Sequence, residues 1–89
     1  MHAVVVSVTV DDPEGSTKNL REEIVPRISQ APGFVAGYWV RIEGGDKGRG
    51  TIACESEEAA RGLAEQIQAN PNPGVTIESV DIGEVVASA

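Results

Sequence analysis

The chain has 89 residues, of which 40% are hydrophobic and 24% charged, and its formal net charge is −7. This length fits one domain covering residues 1–89, and so acidic a surface disfavours nucleic acids and anionic membranes as partners. A single cysteine, Cys54, excludes an intrachain disulfide and a zinc framework, and favours a reducing, cytoplasmic location. No apolar run is long enough for a membrane span or a signal peptide.

The first predicted element is a strand from His2 to Val10, in which valine and threonine dominate. Its even positions are all valine from Val4 to Val10, and its odd positions carry the small residues Ala3, Val5, Ser7 and Thr9. Neither face carries a charge, as a solvent-exposed face normally would. We therefore expect this strand to be central in its sheet and covered on both sides.

A helix is predicted next, after a turn cluster over residues 11–15, with Ser16 or Thr17 as its N-cap. Leu20, Ile24 and Ile28 form its apolar stripe. Pro26 should kink or break the helix, because proline lacks the N–H that a helix interior requires.

Two strands follow, from Phe34 to Glu43 and from Arg49 to Glu55, joined by a glycine-rich loop. Gly37 lies within the first of them, which suggests a bulge or the close approach of another backbone. Ser56 is the predicted N-cap of a second helix, whose apolar stripe is Ala59, Ala60, Leu63, Ala64 and Ile67. A last strand runs from Val75 to about Val86. The solvent sides of the helices offer four i,i+4 ion pairs: Lys18–Glu22, Glu23–Arg27, Glu57–Arg61 and Arg61–Glu65.

The order β-α-β-β-α-β predicts an α+β, ferredoxin-like sandwich, because right-handed crossovers place both helices on one face of the sheet. The sheet is expected to be antiparallel, with strand order 4-1-3-2. Its second face then lacks a cover, although the first strand has no charged side. A second copy of the chain is the simplest cover, so we expect a homodimer in which the last strand reaches the partner.

The segment from Arg21 to Trp39, with its Pro-Gly-aromatic step at Pro32-Gly33-Phe34, and the Ser-Glu-Glu-Ala helix start at Ser56 resemble the dimeric α/β-barrel superfamily. This superfamily includes antibiotic-biosynthesis monooxygenase-like domains and haem-degrading monooxygenases. The resemblance implies a homodimer with ligands held between helices and sheet. Haem degraders of this kind carry an asparagine on strand one, a tryptophan on helix two and a nearby histidine. The first two positions fall at Val6 and at Gly62 or Leu63, and the only histidine, His2, is at the start of the chain. None of the three residues matches, so haem degradation is not expected.

Four residues are candidates for ligand binding: His2, Tyr38, Trp39 and Arg41. Tyr38 and Trp39 are adjacent on a strand, so they point to opposite faces, and Arg41 shares the face of Trp39. Each also has a purely structural interpretation: His2 as a surface residue, the two aromatic residues as core or interface, and Arg41 as the partner of Glu55 or Glu78. Cys54 is expected to be an inert core thiol. No spacing of acids and histidine indicates a metal site, and no cofactor motif is present.

Two functions fit this sequence. The first is a homodimer that binds a small, hydrophobic or aromatic organic molecule, or is purely structural. The alternative is a cofactor-independent monooxygenase of the antibiotic-biosynthesis type, acting on an aromatic or polyketide-like substrate. The presence or absence of an internal cavity tests these functions. If the valines of the first strand fill the space beneath the helices, no substrate or ligand can enter. A cavity of about 300 Å³ or more with a polar group inside favours a bound ligand or substrate.

Overall fold

The computed structural model describes residues 1–89 and confirms the predicted order of elements. Four strands form one antiparallel sheet: β1 (His2–Val10), β2 (Phe34–Arg41), β3 (Lys47–Cys54) and β4 (Val75–Glu84). The strand order is β2-β3-β1-β4, so β1 is central and pairs with β3 and β4 along its whole length. This is the position that its two uncharged faces predicted.

The helical segment between β1 and β2, which we call the first helical arm, starts earlier than predicted. Its first part is α1 (Pro13–Asn19). Its N-cap is Asp12, whose carboxylate accepts a hydrogen bond from the Gly15 N–H at 3.2 Å. The prediction of Ser16 or Thr17 as the cap was therefore wrong. An aspartate followed by proline is a strong start signal, because proline has the backbone φ of a first helical residue and needs no hydrogen-bond partner there.

The arm continues through a π-helical turn (Leu20–Ile24) into α2 (Val25–Ser29), so it does not end at Pro26. Instead, hydrogen bonding widens just before the proline, and the Val25 N–H donates to the carbonyl of Leu20, five residues back. The predicted Lys18–Glu22 and Glu23–Arg27 pairs do not form. Both involve this segment, where i→i+5 geometry replaces the i,i+4 spacing that such pairs need.

The second helix, α3 (Glu57–Ala69), starts as predicted, with the Ser56 hydroxyl accepting from the Ala59 N–H at 3.1 Å. Its predicted stripe is confirmed, since Ala60, Leu63 and Ala64 are buried. On its solvent side, Arg61 pairs with Glu57 at 2.7 Å and not with Glu65.

Both helical arms pack on the same face of the sheet around one core. Val4 and Ile52 are fully buried at its centre, and Ile28 from α2 meets Leu63 from α3 in the same cluster. Burial of this kind contributes about 25 cal/mol per Å² of apolar surface removed from water. The core occupies one end of the helix–sheet interface, around the start of β1 and the end of β3.

Strand ends differ from the predictions by a few residues. β3 starts at Lys47, because Lys47 already pairs with Thr9, while β2 ends at Arg41 and β4 at Glu84. Gly37 is not a bulge, since the irregularity in the β2–β3 register falls between Phe34 and Ala36.

The sheet face away from the helices exposes Tyr38 (73%), Val40 (54%) and Val5 (36%). This face is less apolar than β1 alone suggested, because Asp81 stands beside Val5 and Arg49 beside Ser7 on the neighbouring strands. None of the helices has the length and hydrophobicity to cross a membrane. The cytoplasmic location stays a prediction.

Candidate functional site

A cavity of about 380 Å³ lies between the helices and the sheet, next to the packed core and toward the other end of the sheet. Its floor is built from the last residues of β1 and β2 and the first residues of β3 and β4, which meet at this end because the strands are antiparallel. The cavity is larger than the 300 Å³ at which ligand pockets begin. Its apolar walls include Val6, Val8, Val10, Leu20, Ile24, Ile28, Ile52, Ile67, Val75 and Ile77.

In the floor of this cavity, β3 presents two glycines to the helices. Gly48 pairs with Val8 and Arg41, and Gly50 pairs with Val6 and Trp39, so both face the helix side of the sheet. The next residue on that face, Ile52, is fully buried in the core. The even-numbered valines of β1 therefore face an open space here, whereas Val4 at the other end is fully packed.

Trp39 forms one wall, and the same glycines determine where its ring lies. A Cβ at Gly50 would stand 3.0 Å from Trp39 Cδ1 and 3.1 Å from Nε1, and a Cβ at Gly37 would stand 2.8 Å from Cη2. The indole therefore lies flat against two positions that have no side chain. Gly37 makes room for a side chain, and not for another backbone as the sequence suggested.

Arg41 borders the cavity at the end of β2, where its side chain bridges to the first helix. Its Nη2 donates to the Pro13 carbonyl at 3.1 Å and to the Thr17 hydroxyl at 2.6 Å. The predicted pairing with Glu55 or Glu78 was wrong. Glu78 lies on the opposite face, where it accepts a hydrogen bond from Thr9 at 2.7 Å.

The helical side of the cavity is the more polar one. The π-helical turn places Leu20, Arg21 and Ile24 in the lining, and Arg27 follows from α2. Asn72, in the loop after α3, donates through Nδ2 to the carbonyl of Ser16 at 3.1 Å and ties that loop to α1. The remaining polar lining residues on this side are Ser16, Thr17, Gln66 and Asn70.

The chemical groups of the lining are unevenly distributed. The lining contains no aspartate, glutamate, histidine, cysteine, tyrosine or lysine, but it includes four of the five arginines of the chain: Arg21, Arg27, Arg41 and Arg49. Arg49 borders the cavity only from the far face of the sheet, because its neighbours Gly48 and Gly50 occupy the helix side. The site can therefore hold apolar and anionic groups, and it has no side chain suited to general acid–base catalysis.

His2 and Tyr38, the other two candidates, lie outside the cavity. His2 is at the opposite end of β1, where its Nε2 is 3.8 Å from a carboxylate oxygen of Glu57. Tyr38 points to the exposed face of the sheet. Of the four predicted residues, the structure therefore brings only Trp39 and Arg41 together.

Two ionisable groups outside the cavity have shifted pKa values. Burial raises the pKa of the Cys54 thiol, which keeps it protonated at neutral pH. The hydrogen bonds from Arg61 hold the pKa of Glu57 below its usual value. Neither group reaches the cavity, and no three His, Cys, Asp or Glu side chains lie close enough together to hold a metal ion.

The signal that the sequence analysis missed is the alternation Gly48-Arg49-Gly50 at the start of β3. Glycines at every second strand position remove the side chains from one face over two pleats. The pattern is visible in the sequence, and it predicts a space beneath the helices once the helix-facing side of β3 is known.

No protein-family model matches the sequence, and no curated protein is significantly similar to it. Solved structures are similar over nearly the whole chain. A dimeric ferredoxin-like protein from an uncultured marine organism superposes with a TM-score of 0.62 and 12% identity, over 100% of this chain and 98% of that one.

Two similar structures contain bound molecules. One is a monooxygenase, ActVA-Orf6 of Streptomyces coelicolor, in complex with nanaomycin D (TM-score 0.59, 20% identity, 98% of this chain and 92% of that one). The other is the haem degrader MhuD of Mycobacterium tuberculosis, with two haems in its active site (TM-score 0.58, 25% identity, 97% of this chain and 98% of that one). The chain thus has a ferredoxin-like fold, as its order of elements predicted.

Haem does not fit the cavity as its residues stand. The lining has no histidine, cysteine, methionine or tyrosine to ligate the iron. The sole histidine of the chain, His2, lies at the other end of the sheet.

Proposed function

We propose that this protein is a homodimer that binds a small, predominantly apolar organic molecule in the cavity between its helices and its sheet. The observation that supports this most strongly is the cavity itself. About 380 Å³ stays open between the helices and the sheet, over a floor to which two glycines of β3 contribute no side chain. Empty space beneath a helix costs stability, because its walls lose packing contacts. Binding a ligand would restore those contacts.

Binding can be followed with the protein's own fluorophore, since Trp39 is the sole tryptophan and lies in the cavity wall. A screen of polycyclic phenols and quinol-type compounds should change Trp39 emission for compounds that enter. The variant Val8→Phe places a ring in the cavity and should abolish the response while keeping the fold. Val35→Phe adds the same ring at an exposed position outside the lining and should leave binding unchanged. No response from any compound in the unmodified protein, or equal responses in both variants, would contradict the proposal.

The dimer part of the proposal rests on the exposed apolar side chains of the outer sheet face, Val5, Tyr38 and Val40. The dimeric ferredoxin-like neighbour supports it by analogy. Sedimentation equilibrium should give a particle of twice 9.3 kDa. Val5→Asp should reduce it to the monomer mass and lower its stability, whereas Gln30→Asp, an exposed change on the helix side, should not. A monomeric unmodified chain at micromolar concentration would contradict the dimer without affecting the cavity.

A second candidate is a cofactor-independent monooxygenase acting on an aromatic or polyketide-like substrate. The specific support is the presence of both the Trp39 ring and the Arg41 cation in a lining without a general base. Such a cation stabilises a phenolate, and thereby supplies the deprotonated substrate without a protein base. The substrate would donate the electrons itself: a ring CH₂ becomes C=O, and the second oxygen atom of O₂ leaves as water.

Oxygen uptake distinguishes the two candidates. Compounds that bind in the fluorescence screen are tested with an oxygen electrode, with the Val8→Phe variant as the control. Uptake that depends on both protein and compound, with formation of the ketone or quinone, supports the monooxygenase. Binding without uptake leaves the protein as a binding module.

A further inference from the structure

We infer that the ligand of this cavity is an aromatic carboxylate, whose anionic group is held at the cavity rim by Arg41 with Arg21 beside it. The inference rests on the proposed binding function and adds its chemical class. It starts from the contrast between an acidic protein, with a net charge of −7, and a cavity whose only charged lining residues are arginines.

Arg41 has unused hydrogen-bonding capacity. A guanidinium has five N–H donors, and the two bonds that the protein makes with Arg41 both come from Nη2. Nε and Nη1 have no partner in the protein. Because the Pro13 and Thr17 oxygens take the two Nη2 protons and hold the plane of the group, the Nε–H and Nη1–H donors keep fixed directions for charge-assisted hydrogen bonds to an anionic ligand.

No carboxylate of the protein neutralises the rim. Arg21, Arg27 and Arg41 have no acidic oxygen within 4 Å, and the only ion pairs of the chain involve Glu57 at the opposite end. Glu14 and Glu22 share a shallow groove outside the rim with Lys18, Arg21 and Arg41, but they stay beyond pairing distance of the arginines. These cations are therefore available to a ligand.

The remaining lining determines the body of the ligand. Trp39 stands two residues before Arg41 on β2, with its ring over Gly50 and Gly37, and the surrounding floor is valine and isoleucine. A flat aromatic body can stack on the indole while its carboxylate reaches the guanidinium. A neutral carbonyl would engage the same donors without the charge, so affinity should depend on the charge itself.

The test compares 2-naphthoic acid, an anion at neutral pH, with 2-naphthamide, which has the same ring system and no charge. Isothermal titration calorimetry on the full chain gives both affinities. Naphthoate should bind at least about tenfold more tightly than naphthamide, as expected for a charge-assisted pair. Added salt should reduce this difference in affinity. Arg41→Gln should remove most of that preference while leaving naphthamide within about twofold. Arg41→Lys should keep part of it.

Two further variants isolate the role of the rim. Arg21→Gln, whose side chain makes no hydrogen bond in the structure, should weaken naphthoate binding without affecting the fold. Arg61→Gln removes a cation that pairs with Glu57 outside the cavity, and it should change neither affinity.

The outcomes separate this inference from the function on which it rests. Equal affinities for the two probes would overturn the anionic class and leave small-molecule binding intact. A preference for naphthoate that survives both Arg41→Gln and Arg21→Gln would overturn the assigned anchor. Binding of neither probe would overturn the aromatic class and weaken the proposed function together with it.

Discussion

Gly33 connects the first helical arm to β2, and its replacement by alanine should destabilise the protein by about 3 kcal/mol. Its φ is +79°, a left-handed conformation that costs a residue with a Cβ about 1–2 kcal/mol. The new Cβ would also stand 2.7 Å from the Cβ of Ala59. Ala59 is fixed in the first turn of α3, so the contact cannot be relieved by rotating a side chain, and overpacking of this kind costs about 1–3 kcal/mol.

Gly44 separates these two contributions. Its φ is +82°, nearly the same, but nothing lies within 4 Å of a Cβ placed there. Gly44→Ala should therefore cost only the backbone part, about 1–2 kcal/mol. The difference between the two variants measures the contact with Ala59. Adding Ala59→Gly to Gly33→Ala should recover that difference, less the cost of about 1 kcal/mol for a glycine in a helix.

Urea denaturation followed by far-ultraviolet circular dichroism measures these differences, and thermal melts provide a second readout. In a domain of this size each kcal/mol shifts the melting temperature by about 4–8 °C, so Gly33→Ala should melt well below Gly44→Ala. The packing argument is refuted if Gly33→Ala and Gly44→Ala lower the free energy of unfolding by amounts that agree within about 0.5 kcal/mol. The contact with Ala59 would then contribute nothing. No rescue by Ala59→Gly would refute it independently.

Three other predictions concern single sites. Gly62→Ala, at an exposed position of α3 with nothing within 4 Å of the new Cβ, should raise the unfolding free energy by about 1 kcal/mol in urea titrations, and a loss would contradict the open surroundings seen there. Cys54 should react slowly with a thiol reagent in the native state and rapidly in urea, because burial shields it and raises its pKa; rapid native reaction would contradict this. The folded-state pKa of Glu57 lies below its ordinary value of 4.5, so its stabilising contribution is present above that value and is lost as pH falls through the folded pKa. Stability measured against pH should therefore show the unmodified protein and Glu57→Gln converging in acid, and a difference that persists there would contradict the pairing with Arg61.

Much of the fold could be predicted from local patterns. The uncharged valine pattern of β1 predicted a central strand, and the structure places β1 between β3 and β4. Ser56 and the stripe through Ala60 and Leu63 determined where α3 starts and which side it buries. These features depend on periodicity and on neighbours within a few residues, which the sequence displays directly.

The cavity depends on contacts between distant residues, and the sequence analysis found only part of it. Trp39 and Arg41 were identified as candidates by residue type and strand parity, and the structure places both at the cavity. His2 was singled out for its chemistry, but the antiparallel register carries it to the other end of the sheet. The neighbours of a residue in a sheet depend on which residues of the adjacent strands pair with it. That pairing involves residues far away in the sequence, so it cannot be inferred from the local pattern.

The sequence by itself determined the order of elements, the central strand, the cap of the second helix and the residue types available for binding. Only the tertiary structure decided that Gly48 and Gly50 lie beneath the helices and not on the outer face, in the floor of the cavity. It also decided that Arg41 bonds to Pro13 and Thr17, 28 and 24 residues away, and not to an acid on a neighbouring strand. The physical reason is the same in both cases: packing brings together groups whose separation along the chain contains no information about their distance in space.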